Sequence, residues 1–333
     1  MPRLLRLAAL LAMLAFLAAC GGGDDDDDQA STAAQSAAAA DSTASGDAAA
    51  TSAAASGDAA TVLAAAKAPT SGPVHTTLTL KALFEGEPTD PTLGAFLTGP
   101  IELAIDGTAD AASGQADVSV EAKAGALNIN GKLLSDGTSS WVGLGDTFYA
   151  LPAGTSAAGT TSAVGVGLGS PADYLQDPEV VGTEDVEGVE ATHIRGTLDV
   201  AKLTEALNAA GEAVGGSGLG GALAPEGDTA ADAAMLQDAI EEAKADVWVA
   251  KATGDVVRVA LDLDVAIPEE QQAATAGITG AKVQLDVTTV PGDPLQVTAP
   301  PNPRPADELQ NALLGSLLGG LGGSGDGLGG ALG

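Results

Sequence analysis

The chain has 333 residues, 45 acidic against 13 basic, for a formal charge of −32, and no stretch gathers the Lys and Arg that neutralising nucleic-acid phosphates requires, which excludes nucleic acid as a principal ligand. Only 2% of the residues are aromatic although 45% are hydrophobic, so the core is built from Val, Leu, Ile and Ala. One Cys excludes an internal disulfide and, with two His, leaves too few ligands for the common zinc sites, so neither metal nor cofactor is expected.

Arg3 and Arg6 precede an apolar run from Leu7 to Ala19. That length suits the hydrophobic region of a signal peptide and is too short to span a bilayer. The run ends in Leu17-Ala18-Ala19-Cys20 followed by Gly21, which resembles the bacterial lipobox: small residues before the scissile bond, then the cysteine that receives a diacylglyceryl group. Residues 1–19 are therefore read as a lipoprotein signal peptide and Cys20 as the lipidation site. Each buried methylene contributes ~0.8 kcal/mol, and two or more acyl chains hold where one is marginal. The expected location is extracytoplasmic, anchored by lipid to the outer face of the cell membrane.

Residues 20–60 form the expected tether. From 21 to 61 there is no Val, Leu or Ile, no aromatic residue and no Lys or Arg, so the segment lacks the means to build a core. The five aspartates Asp24 to Asp28 lack the alternating ligands and loop Gly of an EF-hand and read as a solvated charge run. As a flexible coil of about 40 residues the tether has an end-to-end distance of about 35 Å.

Residues 61–300 read as one domain. Val62, Leu63 and Ala66 predict a short amphipathic helix. Thr76, Leu78, Leu80 and Ala82 then alternate along one strand, Ile101, Leu103 and Ile105 along a second, and Val118, Val120 and Ala122 along a third. Period two marks half-buried antiparallel strands. Leu127, Ile129 and Leu133 continue the meander, and Ser140 to Tyr149 reads as two short strands around Gly145-Asp146. Residues 153–169 read as a Gly/Ala-rich loop. Glu190 to Leu198 predicts a strand, after which Asp199 caps a helix with Val200, Leu203, Leu207 and Ala210 on one face. A second helix is expected from about Thr229 to Lys244, with Met235, Leu236, Ala239, Ile240 and Ala243 inward, and residues 215–228 form a loop between the two.

The last strands are a hairpin with one dry face: Val247 and Val249 flank Trp248, Thr253-Gly254 turns the chain, and Val257, Val259, Leu261, Leu263 and Val265 alternate with Arg258, Asp262 and Asp264. Ala281 to Thr289 and Leu295 to Thr298 are expected to finish the sheet. Residues 301–333 are a Pro-rich exit and a Leu/Gly-rich tail, whose Gly content lowers helix stability by ~1 kcal/mol per Gly.

Hydrolytic chemistry needs a nucleophile beside a base. His75 and His193 lie inside strands away from any Gly-x-Ser-x-Gly elbow, and read as satisfied or exposed strand histidines. Acidic pairs such as Glu184/Asp185 and Glu241/Glu242 are expected by chance in so acidic a chain. The reading is not an enzyme.

The ordered set of features resembles the LppX/LprAFG family of actinobacterial cell-envelope lipoproteins. The residues that carry the likeness are Leu17 to Cys20, Val62 to Lys81 with Val74-His75, Gly145 to Tyr149, Ala191 to Thr197, and Val247-Trp248-Val249 with Thr253-Gly254 and Arg258. The resemblance covers most of residues 61–300, departing in the Gly/Ala insertions and the Leu/Gly tail. It implies an α+β fold: a strongly bent antiparallel half-barrel with helices packed over its concave face and an apolar cavity between them, similar to the outer-membrane lipoprotein carriers. The implied function is binding, and transport, of lipid or glycolipid acyl chains in the cell envelope, with a membrane transporter as a further partner. Leu78, Leu80, Val118, Val120, Val259, Leu261 and Leu263 are the expected cavity lining. The alternative from another class is an acidic structural or surface-display lipoprotein without a small ligand.

Overall fold

Alternation with a period of two is the dominant pattern of the chain, and a computed structural model turns it into one sheet. The structure describes residues 56–69, 72–89, 99–125, 127–152, 171–199, 239–272 and 277–309, with Gly94, Leu97 and Lys202. The leader, Cys20, the tether before residue 56, the 153–169 loop, most of the 199–210 helix, the 215–228 loop and the tail beyond Leu309 lie outside the described residues.

The elements run α1 (Ser56–Ala65), β1 (Val74–Gly86), β2 (Ile101–Asp110), β3 (Gln115–Ala124), β4 (Leu127–Asp136), β5 (Ser140–Leu144), β6 (Thr147–Ala150), α2 (Pro171–Tyr174), β7 (Leu175–Val186), β8 (Val189–Leu198), β9 (Ile240–Ala250), β10 (Val256–Ala266), α3 (Glu269–Gln272) and β11 (Ile278–Pro291). The strands form one antiparallel sheet in the order β6-β5-β4-β3-β2-β1-β11-β10-β9-β8-β7. It is an open half-barrel with β6 and β7 as its edges, and short helices pack against it: an α+β fold.

Register explains why the faces differ. Directly opposed residues share a face, and one cross-strand row runs Leu144, Gly131, Val120, Ile105, Leu78, Val287, Val259, Val247, Ile194, Val180. The adjacent row runs Ile129, Ala122, Leu103, Leu80, Leu285, Leu261, Ala245. These rows form the inner, aliphatic face. Ala59 and Leu63 of α1 are buried on its β7–β10 half with Tyr174, Ile194, Val247 and Leu261.

Four expectations change. The helix expected near Val62 begins at Ser56, and Ala59, placed by sequence in the tether, is buried. The helix expected through Lys244 does not extend that far. Residues 240–244 belong to β9, because Ala243, Ala245, Val247 and Val249 put an aliphatic side chain at every second position and Leu263 of β10 lies opposite Ala243. The β9–β10 hairpin is dry on both faces only at its turn end, Glu242, Lys244 and Asp262 being exposed on the rest of its outer face. The register skips Val257 between Val256 and Arg258, and this bulge sends Val257 to the outer face with Trp248, Ala250 and Val290. Finally, Leu295 to Thr298 form no strand. Pro291 and Pro294 lack the N–H a ladder needs, and β11 instead reaches back to Ile278.

The chain after β11 leaves Gly292 N bonded to Pro73 O and arrives at β6, where Arg304 O accepts from Ala150 N and Arg304 N donates to Phe148 O, both at 2.8 Å. This segment runs from the middle of the sheet to one edge. Among the described residues no helix is long and apolar enough to cross a membrane.

Candidate functional site

The seven expected lining residues fall on one face. Leu78, Leu80, Val118, Val259 and Leu261 are buried, and Val120 and Leu263 are half-buried. Leu78, Leu80 and Val118 pack with Ile105, Val283 and Val287, whereas Val259 and Leu261 pack under α1 with Leu63. Leu263 and Leu285 touch both groups and join them into one apolar surface. Around the buried centre lies a belt of half-buried aliphatics on the same face: Ile101, Leu103, Val120, Ile129, Leu263 and Leu285. Gly131 sits in the same row with room for a Cβ at ordinary contact distance. Such a surface offers apolar area with few orienting polar groups.

Sequence reasoning passed over the outer face of β7–β10. Trp248 is sandwiched between the strands that flank β9. His193 of β8 stacks on the indole at 4.3 Å between ring centroids and 12° between planes, and the Arg258 guanidinium of β10 lies 4.5 Å from the ring centroid. Carboxylates close the group. Glu184 accepts from Trp248 Nε1 at 2.8 Å through Oε2 and contacts His193 Nδ1 at 2.9 Å through Oε1. Asp246 Oδ1 lies 2.6 Å from His193 Nε2 and accepts from Arg195 Nε at 2.8 Å, and Asp286 takes both Nε and Nη2 of Arg258. A carboxylate oxygen only accepts, so both His193 bonds are complete when each ring nitrogen carries a proton.

The indole bond, followed by the His193 bond, holds the Glu184 carboxyl below the usual carboxylate range, and the Asp286 bonds raise the Arg258 guanidinium. Burial, with Asp173 nearby, pushes the Tyr174 phenol above its ordinary value. The indole N–H and both ring nitrogens of His193 each meet a carboxylate of the group, so the outer group reads as a closed lock.

His75 contacts Thr108 Oγ1 at 3.2 Å and Asp106 Oδ2 at 3.5 Å. The order of groups echoes a hydroxyl, imidazole and carboxylate relay, but the Asp106 side chain is 67% exposed. A relay acid acts by orienting the ring from a buried position, and water competes with Asp106 for that bond. Among the described residues no group of three His, Cys, Asp or Glu is placed to hold a metal ion.

No family model matches the chain, and no curated protein matches its sequence. Solved structures do match, at a distance. The crystal structure of LprF from Mycobacterium bovis aligns with a TM-score of 0.37 and 12% identity over 73% of this chain and 97% of that one. The lipoprotein LppX from Mycobacterium tuberculosis aligns with a TM-score of 0.30 and 16% identity over 67% and 89%.

Proposed function

We propose that this chain is a membrane-anchored lipoprotein that binds the acyl chains of a lipid or glycolipid on the inner face of its half-barrel and carries them within the cell envelope. The observation that carries the reading is the aliphatic surface of that face, continuous in register from Leu144 to Val180, with half-buried Val120, Leu103, Leu263 and Leu285 bordering a buried centre. The lipobox-like Leu17 to Cys20 supports a lipid anchor on the outer face of the membrane, and the sequence resemblance to the LppX/LprAFG lipoproteins points the same way.

Leu78, Leu80, Val118, Val120, Val259, Leu261 and Leu263 are the proposed lining, with Val120 and Leu263 in contact with the ligand and the others forming its floor. The test is organic-solvent extraction of the protein purified from membranes, followed by mass spectrometry. Lipid in near-stoichiometric amount is expected. Lipid-free protein that also fails to bind added fatty acid would leave an acidic display domain as the better account.

A further inference from the structure

β7 is a weakly laddered edge strand. Pro178 has no N–H to give, Asp177 adopts φ +46°, and the pairing with β8 slips twice, between Gln176 and Glu179 and again between Val180 and Gly182. Each slip leaves a residue of β7 outside the ladder. The second has a consequence for the side chains, because one residue of register exchanges the faces of everything that follows. With Val181 extra, Val180 stays opposite Ile194 on the inner face, Gly182 comes opposite His193, and Glu184 comes opposite Ala191 on the outer face. Ala191 is small and fully buried. Beside it the Glu184 carboxylate reaches past β8 to Trp248 on β9, two strands in from the edge, while its other oxygen meets His193.

The inner side of the same edge bears the cover of the apolar face. α1 packs against β7 and α2, and α2 runs directly into β7. Leu63 of α1 and Tyr174 of α2 are buried against Ile194, Val247 and Leu261. The exit of α1 is tied at the other end by Lys67 N to Gly254 O and Val256 N to Lys67 O, which fixes a pivot at the β9–β10 turn.

We propose that β7, α2 and α1 form a flap over the β7–β10 half of the inner face, and that Glu184 is its latch, fastening the edge strand to His193 and Trp248 from the opposite side of the sheet. Lateral opening at β7 then gives a ligand access to the surface between Ile194 and Leu261. The latch stands on the geometry of the outer face alone; the gating role rests on the acyl-chain reading above.

The experiment uses the full chain as wild type, Glu184→Gln and Glu184→Ala. Hydrogen exchange is followed in β7, β8 and β2, and the uptake of cis-parinaric acid is followed by its fluorescence. Glu184→Ala is expected to speed exchange in β7 by about tenfold with β2 unchanged, the mark of sub-global opening. Glu184→Gln, which keeps one acceptor oxygen, should fall between. Uptake and release of parinaric acid should both accelerate, with little change in affinity. Unchanged β7 exchange, or exchange raised equally in β2, overturns the latch. Faster β7 exchange with no parinaric acid binding by any variant upholds the latch and overturns the acyl-chain reading, and binding at unaltered rates upholds the latch and overturns the gate.

Discussion

Gly107 of β2 lies opposite Val118 of β3 so closely that a Cβ added to the glycine would stand 2.5 Å from the Val118 Cα and 2.4 Å from the Asp117 carbonyl oxygen. No side chain fits there without moving backbone. The pair marks a tight approach in the curve of the half-barrel, at the position in the Gly107 row where the inner face passes from Val118 to Thr76. Small residues at such bends are how curved sheets are built.

Gly107→Ala is accordingly expected to destabilise the domain by ~1–3 kcal/mol, the range for overpacking. Gly182→Ala is the matched control. It too is a strand glycine, but its Cβ would meet nothing within 4 Å, and a change within ~0.5 kcal/mol is expected for a substitution that touches no such feature. Denaturant midpoints of the two variants check the contrast. Equal effects would show that the close approach does not bear on stability.

Val118 and Val120 separate the proposed floor from the proposed ligand-contacting surface. They lie two residues apart on the same face, one buried and the other half-buried. Val118→Trp forces a large side chain into packed surroundings and is expected to cost ~1–3 kcal/mol or more. Val120→Trp projects into the half-buried belt, and is expected to keep the denaturant midpoint near the parent value while lowering bound lipid. If both variants are destabilised alike and the parent carries no lipid, the inner face is an ordinary core.

Much of this arrangement is legible in the sequence, for a physical reason. β1 to β6 carry alternation over enough residues to announce both strand and buried face, and the aliphatic positions named from that alternation do share one surface. Alternation gives parity within a strand; it does not say which strands adjoin, so the meeting of Leu78 with Val287, or of Leu103 with Leu80, comes from register alone. β7 is hidden because Pro178, its acidic residues and its two slips erase the period. β9 is misread at its start because Ala239, Ile240 and Ala243 satisfy helical spacing as well as they satisfy the first positions of a strand. Glu184 looked like one of many acidic neighbours: its partner Trp248 is 64 residues away in the chain, and the bulge at Val181 that aims it leaves no mark in composition.

The anchor is tested apart from the fold. Cys20→Ala is expected to abolish metabolic labelling by fatty acid and to leave unprocessed precursor or released protein. Removal of residues 24–55 is expected to leave the melting temperature of the domain unchanged, since the stretch offers no Val, Leu, Ile or aromatic side chain to bury. The cut stops short of α1 because Ala59 and Leu63 are core residues. A variant still acylated without Cys20 would overturn the lipobox assignment, and a loss of several degrees on deletion would show that the tether packs.

Acid should undo the outer lock in a way that Trp248 reports. Glu184 has its carboxyl held below the ordinary range in the folded protein, first by the Trp248 indole N–H and then by His193. A carboxyl depressed on folding stabilises fully above its unfolded value, and that contribution is lost as pH falls through the folded value. Asp136 behaves likewise, depressed by the amides of Ser139 and Thr138 in the β4–β5 turn, but it lies far along the sheet order from Trp248. A Trp141→Phe background leaves Trp248 as the single indole of the chain. Its emission is expected to shift below the ordinary carboxylate range as Glu184 takes a proton and the indole N–H loses its acceptor. In Glu184→Gln, which has no proton to gain, that local step should vanish while the global acid transition remains. An identical profile in the two proteins would mean that Glu184 does not hold Trp248, and the latch proposed for the edge strand would lose its foundation.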